Sequence, residues 1–143
     1  MMRALTASLV AMAAASMAFA SNWMPLAKFT DGTALLVDTA SIASQHKYRT
    51  GWFKLISMQP ADLPEDAIPS TEVPPGQKFK YIVELFYAKC ARRTVAVIQG
   101  NFYGADDSLL GSIPVTTVRH ARFEEVPPGG AGDKIVASLC KAQ

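Results

Sequence analysis

Few residues of this chain have the types and spacing that chemistry requires. Asp38, Ser41 and His46 lie close together in DTASIASQH, the composition of a hydrolytic nucleophile set. Such a set works only when a base meets the hydroxyl, a third group orients the base, and donors await the oxyanion. Here nothing supplies an orienting partner or an oxyanion motif. Asp and Ser at this spacing do, however, bond nearby backbone groups in turns, so residues 38–41 are read as a turn. Metal ligation fares no better: structural zinc wants four ligands in clustered spacing, and His46, His120, Cys90 and Cys140 are scattered. A redox dithiol would favour Cys-x-x-Cys, which is absent. With no carboxylate pair at defined spacing and no cofactor loop, the expectation is a protein without catalytic, cofactor or metal sites, and hence not an enzyme.

Compartment decides what the two cysteines do. Arg3 precedes an apolar run from Ala4 to Ala15 broken only by Thr6 and Ser8, and Ala18-Phe19-Ala20 places small residues before Ser21. This is the layout of a cleaved secretory signal over residues 1–20. A bilayer span needs about 20 predominantly apolar residues, and this run is shorter, alanine-rich and interrupted by hydroxyls. No cysteine near the cut offers a lipid-attachment site. The expected product is one domain over residues 21–143, periplasmic or secreted, with neither a lipid anchor nor a membrane span after cleavage. In an oxidising compartment two cysteines are most simply one disulfide. A Cys90–Cys140 bond closes a loop of about 51 residues, equivalent to roughly 4 kcal/mol in the chain-entropy model.

Charge narrows the partners. The formal net charge is +2 and Arg3 leaves with the signal, so no case exists for general nucleic-acid binding, which requires neutralising many phosphates. Two small basic groups stand out: Lys89, Arg92 and Arg93, and then Arg119, His120 and Arg122. Clustered cations steer and hold anionic partners such as a sulfated glycan or an acidic protein surface; the plainer alternative is solvated charge at strand ends. A second candidate is Gln59 to Gln77, with five prolines, four acidic residues and no lysine or arginine. It is expected to be an exposed acidic excursion, either a tolerated insertion or a loop that contacts another protein.

The elements that must position these groups follow from periodicity and punctuation. Ser21 to Phe29 and Thr33 to Val37 form a hairpin across Asp31-Gly32. In Tyr48 to Met58, Trp52, Lys54, Ile56 and Met58 share one face and Phe53, Leu55 and Ser57 the other. Neither face is cleanly polar, which predicts a central strand with a helix or loop over part of its second side. Gly51 marks a bulge or a close backbone approach. Lys78 to Tyr87 and Thr94 to Tyr103 are strands joined through Ala88 to Arg93, and a weak strand is expected over 109–112. Pro114 makes 115–124 an edge strand or irregular. After Pro127-Pro128-Gly129-Gly130, Ile135, Val136, Leu139 and Cys140 fall on one helix face over 131–142. So short a helix needs tertiary packing.

Taken together, Trp23, the LVDTASI segment, YRTGWFK, YAKCARR, QGNFYGADDSLLG and VPPGGAGDKIVASLC resemble the bacterial surface-adhesin protein E-like proteins. The resemblance implies an α+β fold: a small antiparallel sheet of about six strands with a C-terminal helix disulfide-linked to it. It also implies an exported binding protein, with host matrix proteins as the partners of the adhesin itself. Without a lipid-attachment cysteine, this chain departs from an anchored adhesin. An exposed sheet edge could pair two copies, but edges are commonly protected, and no dimer is assigned.

Overall fold

The structure is a computed structural model that describes residues 21–141; the expected signal over 1–20 lies outside them. Strand β1 (Trp23–Lys28) turns into β2 (Ala34–Asp38) at Asp31-Gly32, where the Thr33 N–H donates to Asp31 Oδ1 at 2.9 Å. Then come β3 (Ala43–Gln45), β4 (Tyr48–Ala61), β5 (Ile68–Pro69), β6 (Phe79–Lys89), β7 (Thr94–Tyr103), β8 (Leu109–Ile113), β9 (Glu124–Glu125) and helix α1 (Ala131–Cys140). The strands form one sheet in the order β1-β2-β4-β6-β7-β8-β5, with β3 on β4 and β9 on β7. Every pairing is antiparallel. The six longer strands are those expected; β3, β5 and β9 are additions of three residues or fewer. The stretch after Pro114 is irregular until it reaches β9.

Helix α1 covers one face. Leu35, Val37, Phe53 and Ala88 from the sheet close on Ile135 and Leu139 from the helix, forming the main core. The Phe53 side of β4 is thus the covered one, and the Trp52–Lys54–Ile56 side points away from the helix. Gly51 is the close approach: a Cβ there would stand 2.9 Å from Leu139 Cδ2. At the same end, Arg49 Nε donates to the Leu139 carbonyl at 2.9 Å, satisfying a helix C-terminal acceptor with a cation. Cys90, in a one-turn 3-10 segment after β6, is bonded to Cys140 with their Cα atoms 5.6 Å apart. The expected tether is in place.

The loop after β4 differs from the excursion its composition suggests. Its acidic side chains are exposed, but the loop arches over to the far edge and adds β5 to β8. Ser70 N–H donates to the Leu110 carbonyl at 2.9 Å, and Lys78 pairs with Asp62 across the neck at 2.9 Å. Backbone pairing of Ile68 and Pro69 with an otherwise open strand edge outweighs the solvation of the surrounding carboxylates.

The covered face also holds a carboxyl, that of Glu84. Glu84 stands opposite Gly100, whose missing Cβ leaves room for the glutamate stem. It lines a cavity of about 150 Å³ with Leu35, Phe53, Phe86, Gly132 and Ile135. Burial pushes its carboxyl up to about 7. A carboxyl raised in the folded state contributes stability below its unfolded value, and that contribution is lost as pH rises through the folded value. Glu84→Gln should therefore raise stability at pH 8, by up to about 3 kcal/mol, and leave it nearly unchanged near the unfolded glutamate value. Urea melts at the two pH values check this. Separately, Cys90→Ala/Cys140→Ala should cost about 4 kcal/mol, read as a lowered urea midpoint that thiol reductant no longer affects.

Candidate functional site

Strands β4, β6 and β7 meet the 3-10 turn at one end of the sheet, and the basic residues gather there. A stack of rings forms the base of this end. Tyr48 packs on Tyr87, tilted, at 5.8 Å between centroids, and Phe123 stacks on Tyr48 at 5.6 Å. Two ammonium groups ride on the stack. Lys89 Nζ lies 4.1 Å from the Phe123 centroid, and Lys47 Nζ lies 5.6 Å from that of Tyr48. Cation–π contacts of this kind hold a cation on a ring without neutralising it. Beside them is a hollow of about 310 Å³ lined by Lys47, Lys89, Cys90, Ala91 and Arg92, with no acidic residue among them.

Of the candidates from sequence, Lys89 and Arg92 are therefore brought together. Arg93 is not free to join them. It closes the 3-10 turn in a left-handed conformation, φ 50°, and its guanidinium pairs with Asp133 in the first turn of α1. The second Asp133 oxygen accepts the Gly129 N–H at 3.0 Å, so the pair braces the start of the helix. Arg122 is adjacent to Phe123 and pairs with Glu124 at 3.1 Å, both strongly exposed. Such a surface pair is weak and screened, and Arg122 lines a different hollow, with His120, Glu124 and Glu125. Arg119 and His120 lie in the turn at 118–120, where Thr117 Oγ1 and His120 Nδ1 are 2.8 Å apart, and they do not line the hollow. Lys47 was missed from sequence because it is remote in number from the other cations. The signal was the tight turn His46-Lys47 before a strand that pairs with β6.

The Asp38–Ser41 segment is a turn, as read. Asp38 Oδ1 accepts the N–H groups of Asn22 at 2.9 Å and Ala40 at 3.1 Å. Ser41 Oγ donates to the Asp38 carbonyl at 2.7 Å and accepts the Trp52 N–H at 2.8 Å. The hydroxyl is engaged on both sides by backbone. His46 stands exposed at a left-handed turn residue.

Residues 23–141 match the family described as surface-adhesin protein E. The chain belongs to that family. The fold is similar to that of crystal form II of Haemophilus influenzae protein E, at 12% identity and a TM-score of 0.57. That likeness covers 83% of this chain and 87% of the other. A second structure of Haemophilus influenzae protein E overlays at 15% identity and a TM-score of 0.49, covering 85% and 88%. At these identities the likeness is one of fold, and it rests on the first comparison. Among curated proteins, none matches the chain significantly. Among the described residues, no helix of this surface-adhesin protein E family member is long and apolar enough to cross a membrane.

The different environments of neighbouring arginines give a direct test of these assignments. Arg93→Glu should lower the thermal midpoint, because it sets two acids against each other at the start of α1. Arg92→Glu should leave the midpoint within about a degree, as expected of an exposed surface charge. Differential scanning calorimetry of the two variants distinguishes them.

Proposed function

We propose that this family member is an exported, non-catalytic binding protein whose basic end holds an anionic partner, either a sulfated glycan or the acidic face of a host matrix protein. The observation that carries the reading is the convergence of Lys47, Lys89 and Arg92 on one hollow beside a group of rings, with no acid in its lining. Several unpaired cations on a rigid support raise the encounter rate with an anion and fix its orientation. Cleavage after Ala20 would send the chain to a periplasmic or extracellular space, where the Cys90–Cys140 bond persists. The same bond anchors the turn that displays Arg92.

A second reading has its own support. The 59–77 loop, pinned to β8, encloses a hollow of about 280 Å³ lined by Leu63, Val73, Pro74, Pro75 and Leu110. A rigid, proline-bordered recess suits a protein segment, as in a periplasmic protein of structural or inhibitor type.

Charge reversal separates the two. Lys89→Glu/Arg92→Glu should elute from heparin at clearly lower salt and lose binding to immobilised matrix proteins while remaining folded, its melting midpoint lowered only by the lost Lys89–Phe123 contact. Unchanged retention removes the basic end from consideration. Replacing residues 63–77 by a short turn should leave heparin retention intact; loss of partner binding with the fold preserved favours the loop instead.

A further inference from the structure

The sheet face turned away from α1 carries a hollow of about 450 Å³, with Trp23, Asp38, Trp52, Asn101 and Tyr103 in its lining. These are both tryptophans of the chain. They come from separate strands: Trp23 pairs with Asp38 across β1 and β2, while Trp52 lies in β4. The neighbouring Tyr103 stacks on Tyr81 at 5.0 Å and 15° between planes, extending the aromatic floor. None of these rings belongs to the helix-covered core, and all are half-buried.

Polar groups border the rings. Asp38 is only 8% exposed. Its Oδ1 is taken by two backbone N–H groups, and its other oxygen has no part in the turn. Asn101 presents a carboxamide, which both donates and accepts. Ser41 Oγ donates to the Asp38 main-chain carbonyl and accepts the Trp52 main-chain N–H, so the backbones that carry the carboxylate and the indole are tied by one hydroxyl. Charge restricts the occupant further. Lys54 Nζ already lies 4.6 Å from the Trp23 centroid and 5.0 Å from that of Tyr81, so the cation niche is filled and a cationic ligand is repelled. Asp38 sets a carboxylate against that ammonium, so the two fixed charges offset each other and the hollow calls for no net charge in its occupant. What remains is a neutral molecule with an apolar face for the rings and hydroxyls for the carboxylate and carboxamide.

We propose that this hollow is a binding site for a neutral sugar ring of an oligosaccharide, stacked against the indoles and hydrogen-bonded to Asp38 and Asn101. The site is separate from the basic end and does not depend on it. Because both tryptophans line the hollow, intrinsic fluorescence reports it without a label. The mature chain is titrated with N-acetylchitotriose, lactose and maltotriose, with a heparin hexasaccharide as the charged control. The expected result is saturable fluorescence change and movement of the indole N–H signals in NMR spectra with at least one neutral sugar. Lys89→Glu/Arg92→Glu should leave that response unchanged, which separates this site from the anionic one. Trp23→Ala and Asn101→Ala should each weaken it about tenfold, the equivalent of one stacking or hydrogen-bonding contact. Asn101→Ala removes only an exposed-face amide, so its effect is read on a folded protein. No saturable response to any of the three neutral sugars overturns the proposal, as does a response that both variants retain. Self-association that shields both indoles in the sugar-free protein overturns it as well.

Discussion

Helix α1 has ten residues, fewer than water tolerates for an isolated helix, and the architecture is arranged around keeping it on the sheet. Leu139 seats where Gly51 has no side chain, Arg49 takes the Leu139 carbonyl, and Cys140 is bonded to Cys90. At the other end of the helix, Asp133 bridges Gly129 and Arg93. Both ends of the helix are therefore fixed by partners far away in sequence. The burial of Leu35, Val37, Phe53 and Ala88 depends on that docking. Among the described residues α1 is the one α-helix, and so small a domain has little other apolar surface with which to cover a sheet.

Covering one face decides what the other can do. Helix, arching loop and irregular tail leave the Trp23–Trp52 side of the sheet partly open, so the aromatic residues there are half-buried instead of forming core. The disulfide has a similar double consequence. Cys90 belongs to the 3-10 turn that also carries Arg92, so the covalent bond that secures the helix stiffens the display of the cations. Placing interaction groups on the elements that are already rigid limits the ordering entropy lost on binding.

Much of this was legible in the sequence for identifiable reasons. The runs Lys78 to Tyr87 and Thr94 to Tyr103 are apolar and bounded by turn residues, and they became β6 and β7. A register shift between Leu85 and Phe86 nevertheless moves Val95 and Val97 onto the side of Ala88 and Phe86. Asp31-Gly32 and Pro127-Pro128-Gly129-Gly130 are local signals for local events, and they fell where turns occur. Arg93 was less legible. Beside Arg92 it looks like half of a cationic pair, yet its left-handed backbone aims it at Asp133, a helix residue 40 positions away. The proline-rich loop is exposed and acidic, as its composition indicates, but composition reports only solvation, whereas the open edge of β8 that captures it is a property of the assembled sheet.

The chain's own order of residues determined the strands, the terminal helix, the tethering cysteines and the turn at Asp38, since each depends on near-neighbour sterics, periodicity or the chemistry of one residue type. Tertiary structure alone decided which cations stand together, that Glu84 lies against apolar walls, and that both tryptophans line one hollow. Those outcomes depend on strand register and on which face the helix covers. Register and layer packing bring together residues tens of positions apart, and no local pattern encodes that distance.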